Sequence, residues 1–234
     1  TAATNGWTTT GLYDRSAYLM SLPVSILGKL GDSVLFSGMS AIQNEKDALQ
    51  SVLRRALGLI AWLTFPGSLA LAWFAGDVAA LLLGEPYAEA EPIVRVLFIG
   101  VAFRSMIKLA DALIRAVDAL NVAILIKSIY LMGLGLSSWF VLSVGWGIEG
   151  VAWSVTIWTV VQFLFLSAWA LRSVEWNLLE AIRSIMPGIK ALLIAAALLG
   201  ILSQVLHYTM AIYVPSASPL TIHLAHAMVA IIST

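Results

Sequence analysis

Residues 92–120 read PIVRVLFIGVAFRSMIKLADALIRAVDAL. The stretch exceeds the ~20 apolar residues that a membrane-crossing helix needs, yet it carries Arg104, Lys108, Asp111 and Arg115. At about 100° per residue these four side chains fall within roughly 60° of arc, on a single stripe. A charge in the hydrocarbon core is costly, so ionisable residues there pair with one another or line a pathway or binding site. Asp111 has Lys108 three residues before it and Arg115 four after, spacings at which side chains meet on one helix face. Arg104 lies ~18 Å along the helix from Pro92, near mid-membrane. No acid stands three or four residues from it. Snorkelling accounts for Arg115 and passably for Lys108, but Arg104 is too deep. A cavity-lining role is expected for it.

The same length of apolar run recurs on both sides of this stretch. Before it come Gly11 to Gln43, polar on one side, and Ala48 to Phe74, with a kink expected at Pro66. After it come Val122 to Val144, Ile148 to Leu171, Ile189 to Tyr208 and a short run from Leu220. Asn177 to Met186 is amphipathic and reads as an interfacial stretch. Only helices satisfy their backbone in lipid one segment at a time, so an all-α polytopic transmembrane bundle is expected. Composition agrees: 60% of residues are hydrophobic and 11% charged, against about 25% charged in soluble domains. The formal net charge of zero leaves no basic excess for nucleic-acid phosphates. With no Cys, disulfides and thiolate chemistry are excluded. Nine Trp suit interfacial anchoring.

The connections alternate in charge. Lys46, Arg54 and Arg55 follow the first segment, Arg115 and Lys127 the third, and Arg172, Arg183 and Lys190 the fifth. Asp77, Glu85, Glu89, Glu91 and Glu149 fall in the intervening loops. Basic loops remain cytoplasmic, so the first segment is expected to run from outside to inside and the others to alternate.

A second polar face lies on the first segment. Ser21, Ser25, Lys29, Asp32, Ser33 and Ser37 occupy about a 160° sector at helical spacing. Two readings stand. The serines hold helices together while Lys29 and Asp32 form a buried i, i+3 pair, or the face is a second wall of the cavity that Arg104 lines. Taken together, Lys29, Arg104 and Lys108 outnumber Asp32 and Asp111. That balance suits a phosphate or pyrophosphate headgroup, for which the Arg fork is geometrically apt. It suits a cationic drug poorly. Other features read as inert. Glu89-x-Glu91 is a solvated acidic loop, and Gly133-x-Gly135 a close helix contact. His207, His223 and His226 lack a further ligand for zinc. No cofactor, metal site or catalytic group is expected.

Gly11-Leu12-Tyr13, Ala17, Leu22-Pro23, Val34-Leu35-Phe36, Ser40 and Gln43 resemble the oligosaccharide flippases of polysaccharide biosynthesis, in the multidrug/oligosaccharidyl-lipid/polysaccharide exporter superfamily. Further motifs follow in the same order: Leu83-Gly84, Tyr87 and Pro92; Phe103-Arg104, Asp111 and Arg115-Ala116; Gly147 and Gly150-Val151-Ala152. The resemblance spans about residues 11 to 172 and is nearest the branch serving exopolysaccharide, colanic-acid-like and O-antigen units. Ser37 stands where the family usually has Pro, and Asp118 where Gly is common, so the end of the first span is expected to be straighter and the later turn to differ.

The resemblance implies two helical bundles rocking about a central cavity by alternating access. On it, residues 1–172 are part of a second bundle of about five spans. Residues 173–188 are the interfacial helix and cytoplasmic loop, and 189–234 added C-terminal helices, the last cut short. The chain then reads as a fragment of a longer protein. The implied cargo is a polyprenyl-pyrophosphate-linked oligosaccharide, moved without covalent chemistry across the bacterial inner membrane for surface polysaccharide synthesis. The bilayer and a polysaccharide polymerase complex are implied partners. Arg104, Lys108 and Lys29 would bind the headgroup. Asp32, Asp111, Ser25, Ser33 and Arg115 would line the cavity, with Asp32 or Asp111 coupling transport to protons or sodium. A drug/cation antiporter of the same superfamily predicts a net acidic cavity. A membrane glycosyltransferase or ligase predicts a large outer domain with catalytic acids, and a scaffold subunit predicts deep charges that tolerate replacement.

Overall fold

The structure is a computed structural model that describes residues 2–30, 36–84 and 90–213. Every regular element among the described residues is helical. The order is α1 (Ala2–Leu30), α2 (Phe36–Ala41), α3 (Lys46–Trp73), α4 (Ala75–Leu83), α5 (Glu91–Ala116), α6 (Leu120–Val144), α7 (Gly147–Ser173) and α8 (Leu178–Tyr213). Four of these, α3, α6, α7 and α8, are long and apolar enough to cross a membrane. The protein is therefore a polytopic helical membrane bundle.

α5 is the hub. It packs on α1, α3, α4 and α7 and more lightly on α6. With 26 residues it is about 39 Å long at 1.5 Å per residue. Its charges make it less apolar than those four, but neighbours pack along its length and bury most of its residues, so it crosses with them. Toward its N-terminus, Val94, Leu97, Phe98 and Val101 meet Leu19 and Met20 of α1, Ala72 of α3 and Ala152 of α7. Toward its C-terminus, Leu109, Ala112 and Leu113 meet Leu49 and Leu53 of α3 and Met39 of α2. α3 therefore runs antiparallel to α5. α7 runs parallel to it, with Thr156 donating to the Val96 carbonyl oxygen at 3.1 Å.

Two close crossings set helix spacing. A Cβ on Gly188 of α8 would come within 2.6 Å of the Ala61 backbone on α3, and one on Gly133 of α6 would overlap the Trp158 ring of α7. Gly135 has open space around it, so only Gly133 of the Gly-x-Gly pair is a packing contact. Trp158 Nε1 also donates to Ser137 Oγ at 3.1 Å, fixing the ring over Gly133.

Several boundaries differ from the sequence reading. The described parts of the first segment are α1 and α2, and residues 31–35 between them lie outside the described residues. Asp77 sits inside α4 and Lys127 inside α6 rather than in loops. The amphipathic stretch and the sixth segment form one continuous helix, α8, which passes through Pro187. Pro66 likewise lies within α3; a bundle tolerates such breaks in the ladder where neighbouring groups re-satisfy the backbone. Asp118 adopts φ 55°, a left-handed step that glycine makes cheaply and Asp tolerates. The short run from Leu220 lies outside the described residues.

Candidate functional site: a charged seam on the central helix

Between Arg104 and Arg115 every residue of α5 is buried except Arg104, Lys108, Asp111 and Arg115. The stripe that the sequence makes charged is thus the stripe that the bundle leaves uncovered. Arg104 stands half way along α5 and is half-buried; Lys108, one turn on, is exposed. Among the described residues neither makes an ion pair or hydrogen bond. Tyr13 of α1 lies within electrostatic reach of both Arg104 and Tyr130 of α6. Phe103, the neighbour of Arg104, stacks at a tilt on Phe163 of α7 with centroids 5.7 Å apart. That contact fixes the rotation of α5 where the stripe begins.

Asp111 is engaged elsewhere. Its Oδ1 is enclosed and lies 3.2 Å from Lys127 Nζ of α6. The ion pair is not aligned as a hydrogen bond, so the attraction is Coulombic rather than directional. The acid expected to pair along its own helix is thus met from across the α5–α6 gap. Arg115 Nε donates to the Asp111 carbonyl oxygen at 3.3 Å. Glu91 of the acidic pair is taken by Arg95 in an i, i+4 ion pair, and Glu89 lies outside the described residues.

On α1, Leu19, Met20 and Val24 turn inward, while Ser21, Ser25 and Lys29 are exposed on another face. The Ser25 hydroxyl donates to its own helix, at the Leu22 carbonyl oxygen, 2.8 Å away. α1 thus turns its apolar side to α5 and its polar face away from it. Asp32 and Ser33 lie outside the described residues. Tyr13 and Tyr130 are residues near the seam that charge patterning passes over, and Lys127 is one that it assigned to a loop. The signal for the tyrosines was a phenol well inside an apolar run.

A helical membrane bundle with a cationic seam on its central helix is the class that fold and site define. Residues 3–92 match the model of a family described as polysaccharide biosynthesis protein. The match runs from α1 to the first turn of α5 and stops short of the seam. It points to a part in polysaccharide biosynthesis or transport. No curated protein and no solved structure matches the chain.

Proposed function

We propose that the protein moves polyprenyl-pyrophosphate-linked oligosaccharide repeat units from the cytoplasmic to the outer leaflet of the bacterial inner membrane by alternating access, without covalent catalysis. One observation carries the proposal: Arg104 and Lys108, adjacent on a stripe of the central helix that the bundle leaves uncovered, make no ion pair or hydrogen bond among the described residues. Two such cations facing lipid would be prohibitively placed. Facing a water-filled cavity closed by a further bundle, they are ready for a diphosphate, which Arg binds through paired N–H donors. Tyr13 and Tyr130 add hydroxyls suited to the sugars. The match to polysaccharide biosynthesis proteins supports the cargo class. In this reading the lipid tail stays in the bilayer while headgroup and sugars traverse the cavity, and Asp111 is a candidate for ion coupling through its release from Lys127.

The test is complementation with the full-length protein in cells lacking their own flippase. Arg104→Ala and Lys108→Ala, singly and together, are scored for surface polysaccharide once membrane insertion is verified. Loss of rescue with normal insertion is expected. Full rescue by the double variant would reduce the seam to structural charges.

A further inference from the structure

A second basic site lies away from the seam, in the cleft between α3 and α8. The cleft measures about 710 Å³ and is lined by Arg54, Arg55, Leu59, Trp62, Glu180 and Arg183 among others. On α3, Leu49, Leu53 and Ala56 point into the core shared with α5. Arg55, Gly58 and Trp62 lie on the opposite side, roughly 180° away. The cleft is therefore peripheral and faces the bilayer rather than the seam. Gly58 and Gly188 shape it by allowing α3 and α8 to approach closely along its floor.

Charge in the cleft is unbalanced. Arg54 pairs with Glu180, which also accepts from Trp176 Nε1 at 3.2 Å. Arg55 and Arg183 have no ion pair among the described residues. Next to these two cations, one to two turns further into the bundle, Leu59 is 68% and Trp62 57% exposed. A guanidinium pair above an exposed aromatic and aliphatic floor matches a phosphodiester headgroup above acyl chains. Basic pockets between membrane helices on the positive side bind such headgroups, and Trp prefers the same interfacial depth.

We infer that the α3–α8 cleft is a binding site for an anionic membrane phospholipid, with Arg55 and Arg183 holding the phosphate and Leu59 and Trp62 contacting the first part of an acyl chain. The lipid would bridge α3 and α8 and fix the long C-terminal helix against the bundle. The site is independent of the transport reading.

The full chain in neutral detergent is titrated with phosphatidylglycerol, with phosphatidylcholine and with inorganic phosphate, and thermal unfolding and lipid retention by native mass spectrometry are followed. Phosphatidylglycerol is expected to raise Tm and remain bound, and the other two to do neither. Arg55→Gln with Arg183→Gln is expected to weaken retention roughly tenfold or more. Equal retention of phosphatidylcholine overturns the proposal, as does retention unchanged in the double variant. An equal response to inorganic phosphate alone would mean a free-anion site and overturns the lipid assignment. If the double variant does not fold, the wild-type preference between the two lipids still decides.

Discussion

Arg104 shows how one residue can be informative through its surroundings. At the N-terminal side of α5 the cation Arg95 is neutralised by Glu91 one turn away, as a structural charge should be. Arg104 has the phenol of Tyr13 within electrostatic reach instead. Phenols stabilise a cation less than a carboxylate does and leave it able to accept an anion. Arg104→Lys should therefore insert normally yet reduce rescue of polysaccharide export, because a point charge replaces a bidentate fork. Asp111 and Lys127 behave differently. Their side chains are 17% and 50% exposed, between the regimes of buried and surface pairs, so removing either should cost about 1–2 kcal/mol. A double-mutant cycle of Asp111→Ala and Lys127→Ala read by thermal unfolding checks it. Strict additivity would show that the two do not interact. The pair could not be read from the chain, because its members lie on different helices while nearer candidates, Lys108 and Arg115, were offered by local spacing.

At the scale of the element, α3 holds the α7–α8 turn and the first turn of α8 at three heights. Lys46 pairs with Glu175 and Arg54 with Glu180, while Gln50 Nε2 donates to the Val174 carbonyl oxygen at 2.8 Å. Lys46, Gln50 and Arg54 follow one another at intervals of one turn, so a single face of α3 grips the α7–α8 turn. Exposed pairs contribute little individually. The steric fit at Gly188 should matter more. Gly188→Val must displace the Ala61 backbone and is expected to lower stability by about 1–3 kcal/mol, measured as a drop in Tm in detergent; an unchanged Tm would mean that α8 docks otherwise. The α5–α6 turn makes a separate prediction. Asp118→Val should cost about 1–2 kcal/mol at φ 55°, whereas Asp118→Gly should be tolerated in the same assay. Sequence motifs marked this turn through its departure from glycine. The backbone explains why the departure is permitted.

For the whole molecule, alternation of helix direction brings Lys46, Arg54, Arg115, Lys127, Arg172 and Arg183 to one end of the bundle, and Asp77, Glu91 and Glu149 to the other. Basic connections remain cytoplasmic, so single cysteines should report that topology against a chain with no native Cys. In intact cells a membrane-impermeant thiol reagent is expected to label Trp146→Cys between α6 and α7 and to spare Asn177→Cys before α8. The reverse pattern would invert the orientation.

The sequence by itself determined the class of fold and the face of α5 that carries charge. Long apolar runs leave the backbone no choice but helix in lipid, and a stripe of charge on such a run is visible from spacing alone. What only the tertiary structure decided is which partners those charges have. Whether Asp111 meets Lys108, Arg115 or Lys127, whether the polar face of α1 turns toward or away from α5, and how near Gly188 comes to α3 all depend on helix rotation and on contacts between residues far apart in the chain. Periodicity assigns a residue to a face. The packing of neighbouring helices decides what that face meets.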